Sequence, residues 1–150
     1  METEQIIQPI TSIFEGADER NWAKVQKAMT KTIELDYSSL SGAPASTMSA
    51  SQLIETWKGF LPGFDKTHHQ LSNFNVTRHG NKSSVTFDGK ADHFLRSEIW
   101  TVEGNYYAEL IPGDHGWLVA LLKFNLTRQS GNTTLPAIAL QICASRVSAG

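Results

Sequence analysis

The chain has 150 residues, 40% of them hydrophobic and 19% charged, which suits one domain with a sizeable core and argues against disorder. Thirteen Lys and Arg against fifteen Asp and Glu leave a net charge of −2, so no basic surplus exists to neutralise a phosphate backbone, and nucleic acid is not expected as a partner. One cysteine, Cys143, rules out an internal disulfide and a multi-cysteine zinc site.

The start, Met1-Glu-Thr-Glu-Gln5, lacks the basic and apolar regions of a secretory signal, and no stretch approaches 18 apolar residues. A cytoplasmic protein without membrane contact is the expectation. The sequons at Asn75, Asn81, Asn125 and Asn132 then read as Asn and Ser/Thr in β-structure. Phosphate-loop, dinucleotide, zinc-protease, serine-hydrolase and calcium-loop patterns are missing.

Ile6, Ile10, Ile13, Phe14 and Ala17 fall at helical spacing, with Pro9 expected near the first turn. A second helix follows an Asn21 cap, with Trp22, Val25 and Met29 as its stripe. Residues 31–37 alternate as a strand, and the Ser-, Gly-, Ala- and Pro-rich segment 38–48 reads as a loop. Ser49 and Gln52 form a capping-box pattern, flanked by the staple pair Met48 and Leu53. They start a helix that Pro62-Gly63 stops.

From residue 67 the pattern is that of an antiparallel sheet: a strand over 67–78, a turn at 79–82 and a long strand over 83–95. Two strands follow, over 97–103 and 105–111, around a bend at Gly104. A Pro112–Gly116 turn then leads to a last strand, 117–127, apolar on both faces. Helices followed by a run of strands indicate an α+β domain, here 1–131. The tail 132–150 carries Leu135, Ile138, Leu140 and Ile142 and has three possible fates: covering a pocket, packing on a partner or fraying.

Strand alternation sorts the five histidines. In 83–95 one face carries Val85, Phe87, Gly89, Ala91, His93 and Leu95, so His93 is the one ionisable group on an apolar face. His69 shares a face with Leu71, His68 with Phe74 and Val76, and His79 and His115 belong to turns. Tyr37 ends the inward row Ile33, Leu35, Tyr37 with a hydroxyl. Asp18 extends the apolar stripe of the first helix near its C-terminus, where a negative charge opposes the macrodipole and calls for a partner. Each of these residues has an ordinary structural role available to it. Four inward polar groups together suggest a wet or ligand-filled pocket, because buried polar groups are costly unless paired.

These residues, taken in order, resemble a known family. Phe14-Glu-Gly-Ala-Asp18, Asn21-Trp22, Glu34-Leu-Asp-Tyr37, Thr67-His-His69 and Ala91-Asp-His93 resemble the SnoaL-like branch of the nuclear-transport-factor-2-like superfamily, closest to scytalone-dehydratase-type members. The resemblance covers about residues 5–128. It implies a cone-shaped α+β fold, with a strongly curved mixed or antiparallel sheet around N-terminal helices and a deep pocket. It also implies chemistry without a metal or other cofactor. Asp18, Tyr37, His69 and His93 match the dehydratase's pocket residues. A second tyrosine of that enzyme is replaced here by Ala17, and its Ser and Asn fall near Gly104 and Tyr106. These departures point away from scytalone itself as substrate.

The expected function is therefore general acid–base catalysis of dehydratase, cyclase or isomerase type on a small hydroxy-carbonyl, polyketide- or terpenoid-like molecule. Asp18 would orient a histidine, foremost His93. His69 or His93 would move the proton, and Tyr37 would donate a hydrogen bond. Phe14, Trp22, Trp57, Phe64, Tyr106 and Phe124 are the expected pocket walls. A non-catalytic small-molecule-binding domain is the alternative, with an interaction module using the open sheet face as a third reading. Phe94, Ile99 and Tyr107 interrupt the outer polar face, which suggests a homodimer or homotrimer.

Overall fold

The computed structural model describes residues 2–149, so the outermost residues of the expected domain and tail, 1 and 150, lie outside the described residues. Helix α1 (Glu2–Glu19) buries Ile6, Ile10, Ile13 and Phe14. Pro9 lies inside it, because the helix begins well before the expected first turn. Glu2 and Glu4 favour that early start at the positive end of the macrodipole, and buried Ile6 anchors it. Arg20 ends α1 in the left-handed region, at φ 59°. Asn21 then caps α2 (Trp22–Lys27) by accepting from the Lys24 backbone N–H.

Strand β1 (Met29–Asp36) is followed by a segment that the composition marked as loop. It instead forms a short helix, α3 (Ser38–Ser41), and strand β2 (Ser46–Ser49). Pairing with β1, Ile33 opposite Met48, overrides the weak local preference of these small residues. Ser49 and Gln52 complete the capping box of α4 (Ala50–Lys58), and a 3₁₀ turn, Leu61–Gly63, leads into the meander. Its strands are β3 (Lys66–His79), β4 (Lys82–Leu95), β5 (Glu98–Gly113) and β6 (Gly116–Gly131). The two strands expected around Gly104 are one strand, β5; the bend survives as a register shift against β6 at Glu103/Gly104.

The described residues form a six-stranded sheet in the order β2-β1-β6-β5-β4-β3, with β1 parallel to β6 and the other pairs antiparallel. The fold is α+β, with a curved, unclosed mixed sheet around the N-terminal helices, and α1 packs against β3 and β6. In β3 a bulge between Ser72 and Asn75 puts Asn73 at φ 58°. The extra residue switches strand parity, so Leu71 and Phe74 both face the core and His68 is exposed.

The tail is helical as α5 (Leu135–Ala149), docked on the 3₁₀ turn. Gly63 permits this docking, since a Cβ there would run into the Ala139 backbone. Cys143 Sγ lies 3.7 Å from the Phe60 carbonyl, and Arg146 donates to the Pro62 carbonyl at 2.7 Å. Among the described residues no helix is long and apolar enough to cross a membrane.

Candidate functional site

A cavity of about 560 Å³ opens between the helices and the concave face of the sheet. Its wall is mostly apolar, and Tyr37, His69, His93, Tyr106 and Gln129 are among the polar side chains set into it.

Asp18 stands in the last turn of α1, beside the edge strand β3. Its Oδ1 lies 2.7 Å from His69 Nδ1 and accepts from the Thr67 hydroxyl at 2.9 Å, while its Oδ2 accepts from the His69 backbone N–H at 2.7 Å. A carboxylate only accepts, so His69 Nδ1 carries a proton, and in the neutral ring Nε2 keeps its lone pair. Burial pushes the Asp18 carboxyl up, but the hydrogen bonds and charge of His69, with the Thr67 hydroxyl, outweigh it and hold it below its ordinary value. Arg20 braces this arrangement from behind. Its guanidinium donates to Thr67 Oγ1 at 3.0 Å and to the Ala17 and Leu61 carbonyls at 2.8 Å each. Those bonds offset the left-handed backbone at Arg20, which costs a non-glycine residue about 1–2 kcal/mol.

Asp18 therefore orients His69, not His93 as expected from the sequence. Both histidines share the concave face, but α1 ends against β3 and His93 lies one strand further in, opposite Thr67. His93 takes a different partner. Its Nδ1 lies 3.0 Å from the Trp100 carbonyl, which only accepts, so its Nε2 is also a bare lone pair. The ring is 5% exposed and packs between Phe64 and Trp100, at centroid distances of 4.9 and 4.3 Å. Burial depresses its pKa from 6.5 to about 4, with the neighbouring His69 adding to the effect and the Trp100 carbonyl opposing it. So weak a base is poorly matched to proton abstraction near neutrality. The two imidazoles are 6.4 Å apart, edge to face.

Tyr37, at the end of β1, stacks on Phe124 at 5.6 Å and meets Tyr106 edge-on at 6.3 Å. Burial raises the pKa of both phenols, and each hydroxyl is close enough to the other to affect its titration. Gly89 makes room for the Tyr106 ring, which a Cβ there would strike. Tyr106, expected as pocket wall, thus brings a second phenol beside Tyr37 from β5.

Of the expected walls, Phe14, Trp57, Tyr106 and Phe124 line the cavity. Phe64 does not: it is buried behind His93 and stacked on Trp100. Trp22 does not either, because α2 turns it against the core outside the cavity. The sequence reading missed Arg20 and Thr67, while Pro136 and Leu140 of α5 line the cavity, covering a pocket being one of the three fates open to the tail. Thr67 was accessible by parity, two residues before His69. Arg20 acts through contacts distant in sequence and carried no local signal. Among the described residues no cluster of His, Cys, Asp and Glu is arranged to hold a metal ion.

A family model described as a SnoaL-like domain matches residues 2–123. No curated protein sequence matches the chain. Among solved structures, Kfla4162 from Kribbella flavida superposes with a TM-score of 0.86 at 22% identity, covering 91% of this chain and 97% of that one. A candidate scytalone dehydratase from Novosphingobium aromaticivorans gives 0.73 at 17% identity and 86% coverage of each chain. The hexachlorocyclohexane dehydrochlorinase LinA-type3 from Novosphingobium barchaimii gives 0.68 at 15% identity, covering 85% and 88%. At such identities the likeness concerns the fold.

Proposed function

The chain belongs to the SnoaL-like domain family within the nuclear-transport-factor-2-like superfamily, and from that premise we propose that it is a general acid–base enzyme of the dehydratase type. Its substrate is a small, largely apolar hydroxy-carbonyl compound, and no cofactor takes part. The observation that carries this reading is the 2.7 Å contact between Asp18 and His69 Nδ1, which leaves His69 Nε2 as a bare base in an apolar cavity. Dehydratase and dehydrochlorinase names among the structural neighbours support the same class.

In this mechanism His69 Nε2 takes a proton from the carbon next to the substrate carbonyl. The released electron pair forms the enolate, whose oxygen receives hydrogen bonds from Tyr37 and Tyr106. The pair then returns as a C=C bond while the β C–O bond breaks. The proton held by His69 passes to the departing hydroxyl, which leaves as water and restores the neutral imidazole. His93, held neutral by burial, accepts a hydrogen bond from that hydroxyl before departure. Proton transfer by a positioned base is worth about 10²–10⁴-fold. On the outer sheet face, Phe94, Ile99 and Tyr107 suit a homodimer or homotrimer, and light scattering on the purified chain tests that.

The test substrate is 3-hydroxy-1-tetralone, whose dehydration product tautomerises to fluorescent 1-naphthol. The wild type is expected to release naphthol, and His69→Ala to lose nearly all of that rate. Equal rates for the wild type and His69→Ala, or none for the wild type, would overturn the reading.

A further inference from the structure

The cavity has a second polar end that the acid–base chemistry leaves unused. On β6, Gln129 lines the cavity where it meets solvent. Its Oε1 accepts from Trp100 Nε1 at 2.8 Å. An indole N–H only donates, so the carboxamide has one possible orientation, and its Nε2 carries two N–H groups away from Trp100. Among the described residues that Nε2 donates to no protein group. Trp100 thus sets two groups at once: its carbonyl orients His93 inside the cavity, and its indole orients Gln129 at the mouth. Ala91, Val102 and the Trp100 ring supply apolar wall.

We propose that Gln129 determines specificity, by donating from Nε2 to a second oxygen acceptor on the end of the substrate farthest from His69. The inference rests on the reading of this cavity as the substrate site and deepens it. The substrate class narrows to a compact hydroxy-carbonyl compound with its reactive group at one end and a further oxygen acceptor at the other. A cavity of about 560 Å³ has room for such a body.

The experiment compares the binding of two ligands that share fused rings and a phenol and differ in one ketone oxygen: 6-hydroxy-1-tetralone and 5,6,7,8-tetrahydro-2-naphthol. Binding is followed by quenching of the cavity tryptophans. The wild type should bind the ketone more tightly by about five-fold, the worth of one neutral hydrogen bond. In Gln129→Glu the carboxylate still accepts from Trp100 but has nothing to donate. That variant should lose the preference while its affinity for the naphthol stays unchanged, and Tyr37→Phe should keep the preference. A preference undiminished in Gln129→Glu, or lost equally in Tyr37→Phe, overturns the proposal. His69→Ala should show the wild-type preference, so failure of the catalytic reading is recognised separately. If neither ligand binds the wild type, both readings fall.

Discussion

Acidification should destabilise this protein through His93, and the structure sets the size of the effect. In the unfolded chain the imidazole takes up a proton at about 6.5; in the folded protein burial between Phe64 and Trp100 delays that to about 4. Above pH 6.5 both states carry neutral imidazole and the group has no effect on folding. As pH falls below 6.5 the unfolded state gains a proton that the folded state refuses, so stability declines until pH reaches about 4 and then levels. Integrating between pH 7.5 and 5 gives a loss of about 2 kcal/mol, a large fraction of the margin of a domain this size.

The assay is urea unfolding of the wild type and of His93→Gln at both pH values. The wild-type loss should exceed the variant's by about 2 kcal/mol, since every other titrating group is shared by the two proteins. Asp18 does not blur the comparison. Its carboxyl is depressed, so its stabilisation is present above the ordinary carboxylate range and disappears only as pH falls through it. If the two proteins lose stability equally between pH 7.5 and 5, His93 is not held neutral by its surroundings, and its role as a fixed acceptor falls as well.

Asp18→Asn should reduce turnover of 3-hydroxy-1-tetralone by about 10²–10⁴-fold. Both carboxylate oxygens now accept hydrogen bonds, so the amide NH₂ must face a donor or drive His69 to the other tautomer; nitrogen-15 NMR of the imidazole reports which tautomer is present. Gly63→Ala should push α5 off the 3₁₀ turn at a cost of about 1–3 kcal/mol, read as faster proteolysis after Asn132 while the sheet core keeps its amide-exchange protection. Ser83→Ala should raise stability by about 1 kcal/mol in urea unfolding, because the Ser83 hydroxyl is buried without a hydrogen-bond partner among the described residues.

How far the sequence could be read depended on whether local pattern or distant contact decided each feature. The alternation in β4 predicts its buried face residue by residue, from Val85 to Leu95, because one side of that strand meets the core and the other meets solvent. The same rule falters in β3, where the single extra residue at Asn73 reverses parity midway. That reversal is why His68 seemed to share a face with Phe74. The capping box at Ser49 and Gln52 is wholly local and formed as written. The segment 38–48 contains no local preference strong enough to show β2, which exists because β1 offers it an edge. Helix α5 carries Leu135, Ile138, Leu140 and Ile142 without a local cue to what they meet; Gly63, more than seventy residues earlier, admits the helix against the 3₁₀ turn.

The site shows the same division in a sharper form. Parity put His69 and His93 on one inward face, but which of them Asp18 reaches depends on where α1 ends relative to the sheet. Once that is known, three one-way partners assign the hydrogens without their being seen. The Asp18 carboxylate only accepts, the Trp100 carbonyl only accepts and the Trp100 indole only donates. Two bare imidazole nitrogens therefore stand against two phenols and an amide with N–H groups free. A ligand can donate to the two imidazole nitrogens and accept from the Gln129 amide, whereas the two phenols can do either. Reversing the Asp18 partner, as Asp18→Asn does, sets a donor where only acceptors stood while leaving the apolar wall as it is. Activity should therefore respond to that substitution far more than overall stability does.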